Sequence, residues 1–253
     1  MKTRLLLLAL FSFMATQLSA QKIKWGAELG LNLSTNSADV DPEVDDFLFM
    51  SLSYRPGMRI GITAEYGLKD GMALQSGLYY TQKGYYKDLD KMEEKMKEDS
   101  SEDISVSGKW GNRYDYIEMP INFVYKFKDF QVFGGPYLAY GIGGKSIIDL
   151  EIKNADGETE TFDESVDIEA ISGDAPDEGY LSKDVWQIVY YKKFDYGFNL
   201  GAGYTYDKFL FRVQYSLGIP NILPDYEGNE ENIDDEINLK NRAFSFSLSY
   251  FFK

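Results

Sequence analysis

The sequence predicts an all-β fold: an eight-stranded antiparallel up-and-down transmembrane β-barrel with short periplasmic turns and four long extracellular loops. Eight segments alternate apolar and polar side chains with a period of two, which is typical of strands with one apolar face. Their connections alternate between short turns and long loops, as in outer-membrane barrels. Aromatic residues make up 16% of the chain and gather at the short-turn ends of the segments, where ring side chains favour a membrane interface.

The clearest two segments form a hairpin between Phe194 and Ile219. Tyr196 and Phe198 begin an apolar parity, Asp207-Lys208 supplies a tight turn, and the alternation resumes after it. In the fifth segment, Gly134, Pro136 and Phe133 blur the pattern, so its facing stays open. The eight segments cover residues 25–33, 58–66, 72–80, 117–127, 130–144, 196–206, 209–219 and 244–252.

The connections fall into two length classes. The short ones lie at 67–71, 128–129 and 207–208, and the long ones at 35–56, 84–113, 145–193 and 221–240. An even number of strands puts both termini on the short-turn side, which is the periplasm in such barrels. Residues 88–103 predict a short helix with Asp88 as its cap and a Glu93–Lys97 pair. The longest connection exceeds what a compact domain leaves irregular, so it is expected to extend strands or form its own hairpin.

The first twenty residues have the features of a secretory signal peptide. Lys2 and Arg4 precede an apolar run at 5–14, and Leu18-Ser19-Ala20 resembles a cleavage site. Beyond it, no apolar run reaches the roughly 18 residues that a membrane helix needs. The predicted organisation is therefore a signal peptide at 1–20 and an outer-membrane β-barrel domain at 21–253, with both termini periplasmic in a Gram-negative cell envelope.

Composition removes several classes of function. The chain has no Cys and no His, so thiol nucleophiles, zinc thiolates and the usual catalytic base are absent. The net charge is −15, and most of the 41 acidic residues lie in the long connections. We therefore expect no nucleic-acid partner. No catalytic residue and no cofactor is predicted, since no spacing indicates a Ser-Lys pair either.

Charged residues at polar positions of the segments predict a network inside the barrel. An eight-stranded barrel is just wide enough for side chains to fill, and buried charges must be paired. We therefore interpret them as a salt-bridged filling of the lumen. The predicted interior residues are Glu28, Arg59, Glu65, Lys83, Glu118, Lys126, Asp195, Arg212 and Arg242.

Aromatic residues near the short turns predict a girdle at one membrane interface. Tyr80, Tyr140, Tyr196 and Phe244 mark the opposite rim more thinly. The predicted girdle consists of Trp25, Tyr66, Tyr125, Phe127, Phe130, Tyr206, Phe209 and Phe252.

Two other patterns favour ordinary interpretations. Gly143-Gly144-Lys145-Ser146 resembles part of a phosphate loop, but the position that requires an earlier Gly is Ala139. Two acidic clusters are rich in the oxygen ligands of calcium, yet their spacing does not match an EF-hand and solvated loops explain them. No metal site is therefore predicted. The clusters are Asp39, Asp41, Glu43, Asp45 and Asp46, and Asp234, Asp235 and Glu236.

Several segments resemble the PorT-like small outer-membrane barrels of Bacteroidota: YIEMPINFVYKF (116–127), GGPYLAYGIGGK (134–145), DYGFNLGAGY (195–204), YSLGIPNI (215–222) and NRAFSFSLSYFF (241–252). The family's named member is implicated in type IX protein secretion and gliding, and most members have no assigned activity. The resemblance therefore implies an outer-membrane barrel with an accessory role in secretion. One difference is Lys253, which follows the C-terminal aromatic Phe252 that barrel assembly is expected to recognise.

The favoured hypothesis is a non-enzymatic, monomeric barrel that is surrounded by outer-membrane lipid and presents acidic loops to another envelope protein or a ligand. The alternative is a narrow porin-like conduit or a barrel that binds a small ligand in its mouth. A soluble lipocalin-like barrel remains the rival fold, because periodicity does not distinguish inside from outside.

Overall fold

The computed structural model describes residues 23–40, 52–100, 104–154, 156–175, 188–225 and 237–252. The predicted signal peptide lies outside these ranges. The elements are β1 (Ile23–Val40), β2 (Leu52–Gly67), β3 (Met72–Lys87), α1 (Leu89–Ser100), β4 (Ser105–Phe127), β5 (Phe130–Lys153), β6 (Thr159–Ile171), β7 (Tyr190–Lys192), β8 (Phe194–Tyr206), β9 (Phe209–Gly218) and β10 (Ile237–Phe251).

Eight of the strands close into one antiparallel ring. Its order is β1, β2, β3, β4, β5, β8, β9 and β10, and β10 pairs back with β1. Each barrel strand therefore pairs with the next barrel strand along the chain, which confirms the predicted up-and-down barrel. The two remaining strands, β6 and β7, extend β5 outside the ring. Within the described ranges, no helix is long and apolar enough to cross a membrane.

The two faces of the barrel wall differ as the alternation predicts. Leu200 and Phe123 on the outer face are 70% and 65% exposed, whereas their inward neighbours Asn199 and Asn122 are buried. In β5, Phe130 points outward and Phe133 is buried inside, which gives the fifth segment the facing that its sequence left open. An apolar outer face and a polar interior are typical of a barrel that is surrounded by lipid.

The strands are much longer than a membrane crossing requires. β4 has 23 residues and β5 has 24, whereas a tilted membrane strand needs about 9 to 11. The long connections are therefore shorter than predicted. The strands continue beyond the apolar outer band as segments that carry both polar and apolar side chains. Part of the longest connection forms a β5–β6 hairpin, as expected. β4, β5 and β6 together form what we call the outer sheet, residues 105–111, 144–153 and 159–168.

The helix α1 occupies the position that the sequence predicted. The Asp88 carboxylate accepts the Lys91 amide N–H at 3.4 Å, and Glu93 pairs with Lys97 at 2.7 Å. The other Glu93 oxygen accepts the Val106 amide N–H at 2.9 Å. This last contact ties α1 to the edge of β4.

Acidification should weaken the hydrogen bond between the Glu93 carboxylate and the Val106 amide. The hydrogen bond from Lys97, and then that from the Val106 amide, hold the pKa of the Glu93 carboxyl below its usual 4.5. Because the pKa is lowered in the folded state, the stabilising contribution is present above pH 4.5 and is lost as the pH falls through the folded value. We expect the Val106 amide to lose hydrogen-exchange protection on acidification. In Glu93→Gln, whose amide oxygen does not titrate, the protection should stay unchanged, and an equal loss in both proteins would contradict the assignment.

Candidate functional site

The interior contains a chain of six charges with alternating sign. Its order is Arg212, Glu28, Arg59, Glu118, Lys83 and Asp195. Arg59 Nε lies 3.2 Å from Glu28 Oε1, and Arg59 Nη1 lies 2.7 Å from Glu118 Oε1. Lys83 Nζ lies 3.0 Å from both Glu118 Oε2 and Asp195 Oδ2. Arg212 forms an ion pair with Glu28 at the other end.

These six side chains come from six different strands. Arg59 and Glu118 belong to β2 and β4, and Lys83 and Asp195 belong to β3 and β8. Neither pair of strands is adjacent in the ring, so both contacts cross the lumen. All six residues are at most 5% exposed. The chain of charges therefore fills the barrel from wall to wall, instead of lining an open channel.

A second cluster lies closer to the short turns. Lys126 forms an ion pair with Glu65, and Gln75 donates to Glu65 at 2.7 Å. The Gln75 oxygen accepts a hydrogen bond from Arg212 at 3.3 Å, which joins the two clusters. Together the two clusters contain four carboxylates and four cations, so they are electrically neutral as a set. Such neutrality is what burial away from water requires.

Aromatic rings cover the interior cations. The Arg59 guanidinium lies 3.9 Å from the centroid of the Tyr79 ring, and the Lys83 ammonium lies 4.2 Å from that of Tyr137. Contacts of this kind stabilise buried cations. Gly77 makes room for the Tyr79 ring, since a Cβ there would lie 2.6 Å from it. The sequence analysis did not predict these rings. The available signal was an inward Tyr two residues from an inward Gly, as with Tyr79 and Gly77.

Arg242 does not belong to this network, and the prediction that it points inward was wrong. It lies two residues from Phe244 on β10, so both side chains are on the outer face. Its Nη1 donates to the carbonyls of Gly218 at 2.6 Å and Asn241 at 2.8 Å. Arg242 thus satisfies backbone oxygen atoms where β9 ends. The inward residue at this level is Asn241, whose amide donates to Asp195 at 3.0 Å.

The mouth at the long-loop end is closed by an apolar cluster. Tyr85, Tyr114, Tyr116 and Tyr137 contribute to it from the barrel strands, above the charge chain. Residues outside the ring complete the cluster from above: Ile168, Ile188, Tyr191, Ile222 and Leu223. All of these are buried, so the lumen has a lid of side chains from the outer segments.

Tyr191 anchors this lid to the barrel wall. Its ring centroid lies 5.0 Å from that of Tyr114 and 5.5 Å from that of Tyr116. Its hydroxyl lies 3.0 Å from the Asp115 carbonyl and 2.9 Å from the Gly143 carbonyl, and it accepts the Gly143 amide N–H at 3.2 Å. A Cβ at Gly141 would lie 2.6 Å from the same hydroxyl, so Gly141 is the space that Tyr191 fills.

The predicted girdle residues lie on the outer face near the short turns. All are exposed except Tyr66, which is half-exposed. Phe127 stacks on Tyr125 and Phe130, with ring centroids 6.4 and 6.0 Å apart. Tyr204 and Tyr250, which were not predicted as members, extend these contacts to Phe130, Phe209 and Phe252.

The remaining motifs contribute no site within the described residues. Gly143 to Ser146 are part of the extended strand β5. Of the two acidic clusters, only Asp39 lies within the described ranges. Among those ranges, no group of three or more metal-ligating residues is placed to hold an ion.

The closed ring, the apolar outer face and the aromatic girdle define an integral outer-membrane β-barrel of the Gram-negative envelope. Residues 17–223 match the family described as outer membrane protein beta-barrel domain, and the chain belongs to this family. The match ends before β10. No curated protein matches the chain.

Several solved barrels show distant structural similarity. Ail, the attachment invasion locus protein of Yersinia pestis, has 10% identity and a TM-score of 0.39, with 91% of this chain and 99% of Ail covered. Neisserial surface protein A has 10% identity and a TM-score of 0.38, with 90% and 97% covered. The toluene transporter TodX of Pseudomonas putida has 10% identity and a TM-score of 0.27, with 90% and 89% covered.

Proposed function

We propose that this protein is a non-enzymatic outer-membrane barrel whose lumen is sealed and whose function resides in contacts made by its outer sheet and loops. One observation carries the proposal: a neutral chain of buried charges spans the lumen below an apolar lid. A solute could pass only if the charge chain and the apolar lid were both disrupted. Separating buried ion pairs costs a large free energy. The exposed outer sheet, in contrast, is available to other molecules.

The proposal includes an orientation. We place the short turns and both termini in the periplasm and the outer sheet outside the cell, since barrels thread their longer connections outward. The signal peptide at 1–20 would direct the chain to the envelope. The acidic connections then face the extracellular medium, where their negative charge repels nucleic acid and attracts cationic groups.

The partners in this proposal are membrane lipid around the wall and an envelope protein at the outer surface. The resemblance to PorT-like barrels favours an accessory role in secretion. We infer that the barrel itself is a monomer, since its closed ring leaves no strand edge inside the membrane to which a second copy could pair.

Conductance in planar bilayers tests the sealed lumen. The refolded protein should give no stable openings, and a Lys126→Ala variant should behave the same way, because Lys126 lies outside the six-charge chain. Stable, unitary openings in the wild type would overturn the proposal and favour the narrow conduit. Hydrolysis in lipase or protease assays would contradict its non-enzymatic part.

A further inference from the structure

We propose that the open edge of β6 binds an extended, cationic polypeptide segment by strand addition. This inference rests on the proposed function, in which the outer sheet makes protein contacts, and it names the chemistry of the partner. Strand addition gives affinity through main-chain hydrogen bonds and specificity through alternate side chains.

The hydrogen bonds between β6 and its neighbours show which backbone groups of β6 are free to bind another strand. On the side away from β5, the Glu169 amide donates to the Val189 carbonyl at 2.9 Å, and the Ile171 carbonyl accepts the Lys193 amide at 2.7 Å. The β5–β6 pairing continues to Thr159 without a register shift. Backbone groups alternate between the two edges of a strand, so Thr161, Asp163, Ser165 and Asp167 present their N–H and C=O to the open edge. No described strand pairs with them.

The opposite edge of the outer sheet, formed by β4, is covered by α1. Beyond Gly111, back to Ser105, no strand among the described residues pairs with β4 on its β3 side. There α1 packs on the sheet, and the Glu93 carboxylate accepts the Val106 amide. Native proteins cover or blunt exposed edges because an unpaired strand is a template for another chain. In the described part of the chain, one edge is covered and the other is left available.

The side chains of β6 indicate the chemistry of the added strand. Phe162 is 42% exposed and lies opposite Leu150, which belongs to the apolar cluster beneath α1. Glu160 and Glu164 flank Phe162 on the same face and are exposed. An added strand would pack an apolar side chain against Phe162 and place cations beside the two carboxylates.

The same charges disfavour pairing with a second copy of this chain. The strand also exposes Asp163 and Asp167 on its other face. Lys145 lies 3.4 Å from Asp167, but both side chains are exposed, so this pair neutralises little. Two copies of β6 would bring like charges together, whereas a basic strand would meet opposite charges. Specificity of this kind needs repulsion as well as attraction.

Ser165 allows a selective test. Because its N–H faces the open edge, Ser165→Pro removes a donor that the partner needs but leaves the β5–β6 hydrogen bonds in place. Proline is tolerated on edge strands for this reason. Ser165→Ala keeps the N–H and is the matched control. Glu164→Lys is a second variant that alters charge without altering the backbone.

The experiment uses the full-length protein in lipid nanodiscs and a fluorescein-labelled synthetic peptide of about ten alternating Lys and Val residues, a strand-length segment. Anisotropy should show saturable binding to the wild type and to Ser165→Ala. Ser165→Pro should weaken binding roughly tenfold, the equivalent of about one lost hydrogen bond. Glu164→Lys should weaken it too. A peptide of the same charge with Pro in place of alternate Val should not bind.

Three outcomes would overturn the inference: no binding of the Lys-Val peptide, equal binding of the Pro-containing peptide, or dimers of the protein that Ser165→Pro abolishes. The second outcome would indicate unspecific charge attraction, and the third would make a second copy the occupant. Bilayer conductance is recorded on the same samples. If the peptide does not bind and the bilayer shows no openings, only strand addition is contradicted. If stable channels open, the proposed function is contradicted.

Discussion

An Arg59→Ala variant should be less stable than the wild-type barrel by about 3 to 5 kcal/mol, the usual cost of breaking a buried ion pair. Arg59 contacts Glu28 at 3.2 Å and Glu118 at 2.7 Å. Removing its guanidinium leaves excess negative charge in a lumen with almost no solvent exposure. Urea unfolding in phospholipid vesicles, followed by Trp fluorescence and by heat-modifiable mobility on gels, measures the free energy of unfolding.

Two further variants control this prediction. Lys126→Ala also removes a cation from a buried carboxylate, but the Lys126 side chain is 32% exposed and Gln75 still donates to Glu65, so we expect a smaller loss of about 1 to 2 kcal/mol. The double variant Arg59→Met with Glu118→Gln should be more stable than Arg59→Ala. It leaves two neutral pairs, Arg212–Glu28 and Lys83–Asp195. If Arg59→Ala and Lys126→Ala cost the same, burial of the charge chain is not what makes Arg59 important.

The second large effect is expected at Tyr191. Tyr191→Ala should lower the stability of the lid locally by about 3 to 5 kcal/mol, since a fully buried aromatic side chain is lost. The Gly143 amide and the two carbonyls near the hydroxyl also lose their partner. Hydrogen exchange at Gly143 and limited proteolysis within residues 156–175 should both accelerate. Urea unfolding of the membrane-spanning part should change much less.

Tyr191→Phe separates the hydroxyl from the ring. It keeps the contacts with Tyr114 and Tyr116 and loses only the hydrogen bonds, so a cost of about 1 to 2 kcal/mol is expected. Similar exchange rates in the Phe and Ala variants would show that the hydrogen bonds, and not the ring packing, hold the lid. Unchanged rates in both variants would mean that Tyr191 does not anchor it.

Much of the fold could be read from alternation. The parity of Leu29 and Leu31 against Glu28 and Gly30 already separates a lipid face from an interior face, because successive side chains of a strand point in opposite directions. The same rule, applied strictly, would have placed Arg242 with Phe244 on the outer face. Assigning it by its charge, and not by its parity, produced the error.

The pairing of the interior charges could not be read in this way. Arg59 meets Glu118 across the lumen, and Lys83 meets Asp195, 112 residues further along the chain. Which side chains meet depends on the register of every strand around the ring and on the tilt that closes it. Neither quantity follows from the sequence spacing of the charges. The aromatic lid is similar, since Ile188 and Leu223 reach it from separate connections.

By itself the sequence determined the number of barrel strands, the apolar outer face and the helix after β3, because the pattern of each strand and helix depends on neighbours within a few residues. Only the tertiary structure decided how far the strands continue beyond the membrane, which charges neutralise one another, what closes the mouth and which edge of the outer sheet stays open. Those features depend on contacts between distant segments, whose geometry is fixed only when the ring closes.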